Sequence, residues 1–542
     1  MRSIKVLAGI ILGVVVSAVL FGGSRAFAAE TPYSIIYDSG VVTDMPTDED
    51  SKTLNDTVQI SSSKPKRNGL SFYGWCNTIP TNVDGNDTCS GTTFAIGSDW
   101  NINPTTVNNN LKLYAMWGEE RPEPQPSTAG CINYFANASD TVGTMGCQSA
   151  TDGNSVTLLA SNFSRTGYGF AGWSDSFDYA TNPNAHFYGS QETITVPTGT
   201  TANGLSLYAV WIKSQGSIQD QSKVASVCNS LTTAPTDGTA NLTSVSALTD
   251  QRDNNTYAIA KLADGNCWMI ENLRLESTAE HNSDGTLAQG YGISATYGNF
   301  GGLAGAESSN FEDSTTANSL YYSGTQEGTA SIDIDTSDLP AYRMPRYNNL
   351  NTSTRASNPT NNSGNMYSYG NYYTWHAAIA DLTYNNTNNQ STTGTSLCPV
   401  GWHLPTGGRA YASDSTGDVN VTGNTSTFRE FYNLGYKTMD EVKTAYEDAP
   451  NSGFAYYSSN TVNTAGKTAG AAIRSFPNNF LYSGTFDSSS ARFRGSYGYY
   501  WSSTASNSIG SHHLYLDSSS VCPGTFSYDK NIGLSIRCAV GT

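Results

Sequence analysis

The feature that most constrains the fold is a pair of segments that occurs twice in the chain, in the same order. Arg67–Trp75 reads RNGLSFYGW and returns as RTGYGFAGW at Arg165–Trp173. Leu111–Trp117 reads LKLYAMW and returns as LSLYAVW at Leu205–Trp211. In both closing segments alternate residues are apolar, which is typical of a strand with one buried face. The sequence therefore predicts two copies of one small, strand-based domain.

The alternation also predicts which side chains each closing strand buries. Large aromatic side chains dominate the cores of small domains, so we expect the repeated tryptophans to be core residues. A platform on which sugar rings stack is the alternative role for these tryptophans. The predicted buried face consists of Leu111, Leu113, Ala115 and Trp117 in the first copy and of Leu205, Leu207, Ala209 and Trp211 in the second.

The N-terminus has the three parts of a cleaved export signal. Arg2 and Lys5 precede an uncharged run from Val6 to Phe21, and Ala26-Phe27-Ala28 follows as an A-x-A cleavage pattern. The uncharged run is shorter than the ~20 residues of a membrane span. We expect residues 1–28 to be removed, which gives a secreted or cell-surface protein without stable membrane insertion. An uncleaved membrane anchor is the alternative.

Composition excludes two classes of partner. The formal net charge is −17 and only 13% of the residues are charged. Nucleic acids and anionic membrane surfaces are bound by clusters of Lys and Arg, so we expect neither as a partner. With 37% hydrophobic and 11% aromatic residues, the chain can still build folded cores.

Export determines how the nine cysteines are interpreted. None of them forms a C-x-x-C motif, and disulfides are the default outside the cytoplasm. The pairs Cys76–Cys89 and Cys131–Cys147 would close short loops inside the two predicted copies. We add Cys228–Cys267 as a third pair. Because nine is odd, at least one thiol stays unpaired within the chain.

The two copies resemble the Listeria–Bacteroides repeat, the internalin B-type repeat of bacterial surface proteins. The matching elements are the R-x-G-x-x-F-x-G-W core and the closing L-Y-A-x-W strand. The copies cover residues 31–117 and 131–212, and a proline-rich, extended linker at 118–130 separates them. The resemblance implies two small β-grasp-like folds that serve as stalk or adhesive modules without catalytic activity.

The C-terminal part contains five blocks in a fixed order: Tyr257–Leu273, Tyr369–Trp375, Cys398–Thr406, Tyr500–Ser503 and Ser535–Cys538. Together these blocks resemble the Fibrobacter succinogenes major paralogous domain. This resemblance implies a fold similar to C-type-lectin-like domains and to formylglycine-generating enzymes, on exported bacterial proteins whose biochemical role is undefined. It also implies the pair Cys398–Cys538, which leaves Cys522 as the unpaired thiol; a Cys522–Cys538 bond is the alternative.

We therefore expect a multidomain, β-rich α+β protein. A linker at 213–227 would follow the second copy, and a C-type-lectin-like α+β domain would occupy 228–542. Residues near 276–365 are rich in Ser, Thr, Asn and Gly, which predicts a loop-rich insertion. Helices are predicted over 372–382 and 427–446.

Motifs for catalysis are missing from the sequence. It contains no H-E-x-x-H, no G-x-S-x-G and no phosphate-binding P-loop pattern. His512 and His513 are neighbours in a predicted strand, so they point to opposite faces and cannot chelate one ion together. Asp333, Asp335 and Asp338 leave calcium binding open, although the Gly and Glu of an EF-hand loop are missing. We expect no cofactor, no metal site and no catalytic residue.

Three functional hypotheses remain. The first is a non-catalytic adhesion or binding protein that contacts an extracellular glycan or surface protein through faces rich in tyrosine and tryptophan. The second is an enzyme of the formylglycine-generating type in the C-terminal domain, and the third is a purely structural envelope protein.

Overall fold

A computed structural model gives the architecture of the protein. Within it, Met1–Glu119 and Glu120–Thr542 form two compact units. The predicted signal peptide, the three aspartates Asp333, Asp335 and Asp338, and most of the predicted insertion lie outside the described residues. Those residues are 34–38, 57–67, 70–83, 86–95, 97–101, 110–119, 126–180, 182–235, 240–275, 346–347, 359–364, 366–373, 375–379, 396–407, 427–428, 431, 469–487, 490–506, 510–518, 521–530 and 532–540.

The first unit contains the first repeat. Its strands are β1 (Ser34–Asp38), β2 (Thr57–Gln59), β3 (Leu70–Cys76), β4 (Thr81–Val83), β5 (Asn86–Thr88), β6 (Thr93–Phe94), β7 (Asp99–Asn101) and β8 (Asn110–Glu119). The main sheet has the order β1-β8-β3-β6, with β1 parallel to β8 and β3 antiparallel to β8. The pairs β2–β7 and β4–β5 form two smaller sheets.

The second repeat begins the second unit. Its elements are β9 (Cys131–Phe135), β10 (Gln148–Ser149), β11 (Ser155–Thr157), β12 (Tyr168–Ser174), β13 (Phe187–Tyr188), β14 (Thr193–Thr195), the short helix α1 (Thr200–Asn203) and β15 (Leu205–Lys213). The sheet has the order β10-β9-β15-β12-β13, with β9 parallel to β15 and β12 antiparallel to β15, and β11 pairs with β14. Apart from the added edge strand β10, this is the strand order of the main sheet of the first repeat.

A shared irregularity shows how closely the two repeats correspond. The pairing register shifts between Phe72 and Gly74 in β3 and between Phe170 and Gly172 in β12. The two glycines have φ values of 142° and 140°, a conformation that side-chain-bearing residues rarely adopt. The glycine of the F-x-G-W motif is therefore required by the bulge in the strand.

The predicted buried faces of the closing strands are confirmed. In the first repeat Leu111, Leu113, Ala115 and Trp117 are all buried in one core with Trp75. In the second repeat the core contains Leu207, Ala209 and Trp211 together with Trp173, and Leu205 packs against it while partly buried.

The rest of the second unit is built from several small sheets. The elements are α2 (Gln221–Ser230), β16 (Val245–Thr249), β17 (Thr256–Lys261), β18 (Cys267–Met269), β19 (Arg346–Tyr347), β20 (Tyr372–Tyr373), α3 (Trp375–Ala378), α4 (Ala469–Ala472), β21 (Thr485–Asp487), β22 (Ser490–Arg492), β23 (Gly498–Ala505), β24 (Gly510–Leu516), β25 (Val521–Asp529) and β26 (Ala539–Val540). One sheet has the order β16-β17-β18-β26 and another the order β23-β24-β25; β19 pairs with β20 and β21 with β22.

The five sequence blocks of the C-terminal part meet around shared cores. Trp375 and Trp501, from the second and fourth blocks, are both fully buried in one cluster. The Trp501 indole N–H donates to the carbonyl of Tyr373 at 2.7 Å, and the Trp375 indole N–H donates to the carbonyl of Ser502 at 2.8 Å. These reciprocal hydrogen bonds join two blocks that are more than a hundred residues apart.

Four disulfides are present, and they join the four pairs that the sequence predicts. They are Cys76–Cys89, Cys131–Cys147, Cys228–Cys267 and Cys398–Cys538. Cys522, the ninth cysteine, is buried and takes part in none of these four bonds. Because Cys538 is bonded to Cys398, the alternative pair with Cys522 is not formed.

Two local predictions need correction. Residues 213–227 do not run as a simple linker, because α2 begins at Gln221 and buries Val224 and Val227 in the C-terminal core. Asp220 starts this helix by accepting the backbone N–H groups of Ser222 and Lys223. The helix predicted over 372–382 is preceded by a strand, since residues 372–373 form β20 and α3 begins at 375.

None of the helices in the described part of the chain is long and apolar enough to cross a membrane.

Candidate binding site

The second repeat is packed directly on the C-terminal part of its unit. One face of its sheet covers its own core, while Ala171 and Val210 from the opposite face belong to the core that contains Ala258 and Trp268. A Cβ atom on Gly169 would lie only 2.2 Å from the backbone nitrogen of Ala258. The absence of a side chain at Gly169 therefore allows β12 to approach the backbone of β17.

A buried carboxylate connects the two backbones at this contact. Glu271 Oε2 accepts the N–H of Phe170 in the repeat at 3.1 Å and the N–H of Ala258 at 2.6 Å. Its other oxygen, Oε1, accepts from Arg274 Nη1 at 3.0 Å. The guanidinium of Arg274 is itself buried and lies over the Tyr257 ring. This pairing compensates for removing the carboxylate from water.

A second set of polar contacts joins the repeat to residues 474–482. The Asn479 side chain donates to the carbonyl of Ala171 at 2.6 Å and accepts the N–H of Ser190 at 3.0 Å. Gln191 Oε1 accepts the N–H of Tyr482 at 2.6 Å, and Arg474 donates to the carbonyl of Gln191. These residues are buried, so the contact resembles a protein interior rather than a flexible domain boundary.

An open cleft lies along this contact. It has a volume of about 720 Å³, which falls within the range of small-ligand sites. One wall comes from the second repeat, around β13, and the other from residues 240–243 before β16. The lining residues are Tyr179, Ala180, Asn182, Pro183, Ala185, His186, Phe187, Tyr188, Glu192, Ala240, Asn241, Leu242 and Thr243.

The aromatic wall of the cleft is fixed by contacts with residues behind it. Phe187 stacks on Phe476 with ring centroids 5.1 Å apart and contacts Tyr179 edge-on at 6.2 Å. The Tyr179 hydroxyl accepts the N–H of Trp211 at 3.0 Å and lies 3.2 Å from the Trp211 carbonyl, to which it donates. These contacts order the aromatic wall before any ligand binds.

The charged groups of the cleft are paired with neighbours. His186 Nδ1 lies 3.0 Å from Asp175 Oδ2, and the His186 backbone N–H donates to Asp175 Oδ1 at 2.9 Å. Glu192 Oε2 accepts the N–H groups of Gly189 and Phe476. Burial, together with the charges of Asp175 and Glu192, raises the pKa of Tyr188 to about 12. Tyr188 is therefore a neutral phenol at physiological pH.

A second aromatic region, the tyrosine surface, consists of Phe493, Tyr497, Tyr515 and Tyr528. Its rings pack against one another, with centroids 5.5 Å apart for Phe493–Tyr497 and 5.9 Å for Tyr497–Tyr515. Phe493 is 46% exposed, whereas the three tyrosines are half-buried. This region is largely the edge of a core, because the rings cover one another.

His513 lies beneath the tyrosine surface. It is buried and 5.6 Å from the Tyr528 ring, and burial lowers its pKa to about 3. Its neighbour His512 is also buried. Neither histidine therefore lies on a solvated strand face.

The tryptophans form cores rather than sugar-stacking platforms. Eight of the nine are buried, and the ninth, Trp100, is half-buried in the first repeat. Because their ring faces are covered by the protein, the expected contact surface of exposed tryptophan is absent from the described residues. The buried tryptophans are Trp75, Trp117, Trp173, Trp211, Trp268, Trp375, Trp402 and Trp501.

Sequence reasoning did not identify the cleft. Its two walls, around Phe187 and Asn241, are separated by more than fifty residues and carry no recognisable motif. The one available signal is the cluster of aromatic and Asn residues between Tyr179 and Tyr188. In the part of the chain that the structure describes, no three His, Cys, Asp or Glu side chains are placed to hold a metal ion.

Comparison with known proteins gives one partial match. Residues 132–210 match the Listeria-Bacteroides repeat domain, which corresponds to the second repeat described above. No curated protein and no solved structure gives a match to the chain. The matched segment is thus similar to a repeat of bacterial surface-type proteins.

Proposed function

We propose that the protein is an exported, non-catalytic binding protein, secreted or held at the bacterial cell surface, with an extracellular glycan or surface protein as its ligand. The observation that carries this proposal is the composite cleft between the second repeat and residues 240–243. Its ordered aromatic wall and hydrogen-bonded charged groups suit recognition, and none of the lining side chains that the structure describes forms a nucleophile–base pair of the kind covalent catalysis needs.

Four disulfides support an extracellular location. Each closes a loop in a chain whose described helices and strands are short, and such bonds persist in oxidising compartments. The signal-peptide pattern at 1–28 points to the same location.

The proposal includes the folds of the repeats and of the C-terminal part. We assign a β-grasp-like fold to both repeats, supported by the parallel pairing of the first and last strands, β1 with β8 and β9 with β15. For residues 228–542 we propose a C-type-lectin-like fold of the Fibrobacter succinogenes major paralogous type. The pairing of β18 with β26 supports it, since this brings the beginning and end of that segment into one sheet.

The repeats have different roles in this proposal. The first repeat serves as a stalk or adhesive module. The second repeat supplies one wall of the cleft, so it is part of the binding body. The alternative of a formylglycine-generating-type enzyme needs a reactive cysteine pair. The bond from Cys538 to Cys398 and the burial of the Cys522 side chain support the non-catalytic assignment.

The test is binding by the purified, oxidised full chain. It is titrated on an oligosaccharide array and against immobilised cell-surface fractions, with the reduced and unfolded chain as the control. Saturable binding by the folded protein alone is expected. A folded chain with all four disulfides that binds to neither would identify a purely structural envelope protein and overturn the proposal.

A further inference from the structure

The composite cleft has the features of a site for a sugar ring. We infer that it binds the end of a neutral oligosaccharide, an inference that rests on the proposed binding function. The cleft is open on one side and about 720 Å³ in volume, so a terminal sugar could enter while the rest of the chain extends into solvent.

The aromatic wall of the cleft suits the face of a sugar ring. Phe187 is half-buried and lines the cleft, and the stack on Phe476 fixes the plane of its ring. Tyr188, the next residue of β13, also lines the cleft. Pyranose rings present faces of C–H groups that pack on aromatic rings, and a ring already fixed in position loses little entropy on binding.

The charged groups of the cleft favour a neutral ligand. None of the described lining residues is Lys or Arg, so an anionic ligand would lose hydration here without gaining an opposite charge in return. The carboxylates already accept hydrogen bonds from the protein: Asp175 accepts the His186 backbone N–H, and Glu192 accepts two backbone N–H groups while the guanidinium of Arg474 acts on it electrostatically. A cationic ligand would have to compete with these contacts for an opposite charge.

Amide side chains lie on both walls of the cleft. Asn182 donates to Ser176 Oγ at 2.9 Å and accepts the N–H of Asn184, which orders it on the repeat side. Asn241 Oδ1 accepts the N–H of Thr243 at 2.9 Å and its hydroxyl at 2.7 Å, which orders it on the opposite side. Ordered amides and hydroxyls beside aromatic rings provide the donors and acceptors that sugar hydroxyls need.

The experiment uses the oxidised full chain with named disaccharides. Saturation-transfer NMR and calorimetry compare the neutral ligands cellobiose, maltose, lactose and N,N′-diacetylchitobiose with acidic sialyllactose and the cationic glucosamine dimer. His186→Ala and Asn241→Ala test the two walls; both side chains are exposed, so the fold should persist. Phe493→Ala, on the tyrosine surface, is the matched control.

We expect one or more neutral sugars to bind with an affinity that changes little with salt concentration, because the ligand carries no net charge. Each cleft variant should weaken binding about tenfold, the effect of losing roughly one hydrogen bond, while Phe493→Ala leaves it unchanged. Binding lost in Phe493→Ala but kept in both cleft variants would overturn this inference and leave the proposed function intact. A preference for the charged sugars would also overturn it.

The two proposals fail in different ways. If no disaccharide binds but cell-surface fractions still bind saturably, the sugar inference alone is wrong. If the folded chain binds neither, the proposed function is wrong as well.

Discussion

Gly169→Ala should separate the second repeat from the C-terminal part of its unit. The new Cβ would lie 2.2 Å from the backbone nitrogen of Ala258, whereas ordinary contacts begin at 3.4 Å. The two strands would have to move apart by about 1.2 Å, the difference between these distances. The opposing atoms belong to the backbone of a buried strand, so no side-chain rotation can relieve the clash.

The cost of this change has two parts. Overpacking by one methyl group costs about 3 kcal/mol when the surroundings are rigid. A shift of that size would also lengthen the hydrogen bond from the Phe170 N–H to Glu271 from 3.1 Å to about 4.3 Å, beyond hydrogen-bonding distance. Losing a hydrogen bond to a buried carboxylate adds about 2 kcal/mol. We therefore expect Gly169→Ala to lower the free energy of unfolding by about 5 kcal/mol.

The assay is urea unfolding of the oxidised chain, followed by tryptophan fluorescence. Gly265→Ala is the control, because a Cβ there meets no atom within 4 Å. Its only cost is the backbone strain of placing Ala at a φ of +80°. That control should lose only about 1 kcal/mol. The reasoning is refuted if Gly169→Ala is no less stable than Gly265→Ala.

Three further predictions concern the histidine beneath the tyrosine surface and the cysteines. Burial holds the pKa of the His513 imidazole near 3, below its value in the unfolded chain. The stability that this shift contributes is complete above about pH 6.5 and is lost as the pH falls. In urea titrations, the loss of unfolding free energy between pH 6.5 and 4 should therefore be about 3 kcal/mol smaller for His513→Phe than for the unaltered protein. An equal loss in both proteins would contradict this. Replacing Cys398 and Cys538 together by Ser should lower stability by about 4 kcal/mol, since their bond spans 140 residues, and an unchanged unfolding midpoint would refute it. Thiol titration of the denatured, unreduced chain should find one thiol, and none after Cys522→Ala; a thiol count that Cys522→Ala leaves unchanged would disprove the pairing.

The repeat fold could be predicted because its signals are local. The alternation of Leu111, Leu113, Ala115 and Trp117 has the period of a strand, so the buried face follows from the sequence alone. The bonds Cys76–Cys89 and Cys131–Cys147 likewise follow from short separations within one repeat. By contrast, the pair Cys398–Cys538 could be predicted only through a family resemblance, because no local sequence pattern relates two residues so far apart.

The packing of the second repeat on the C-terminal part could not be predicted. It depends on Gly169 and Ala171, which are small enough for close approach. A glycine in a strand indicates that the strand bends or that another backbone passes close, but it does not tell which surface approaches. Ser71 and Tyr73 occupy the corresponding positions in the first repeat. The sequence shows this difference between the repeats, but its role in packing becomes clear only once the partner surface is known.

The burial of three arginines could not be predicted from the sequence either. Charged residues are normally expected at the surface, yet Arg274, Arg474 and Arg537 are fully buried. Arg537 donates to Asn272 and to the carbonyls of Met269, Asn478 and Asn479. Such partners are distant in sequence, so no pattern near Arg537 indicates that its charge is satisfied inside the protein.

The central claim is that the second repeat and the C-terminal part form one body that carries the cleft. Hydrogen exchange of the oxidised full chain, read segment by segment, tests it most directly. Amides of β12 and β15 should open with the same free energy as those of β17, and Gly169→Ala should lower all three together. Exchange of β12 and β15 that is much faster than that of β17, and insensitive to Gly169→Ala, would contradict the claim.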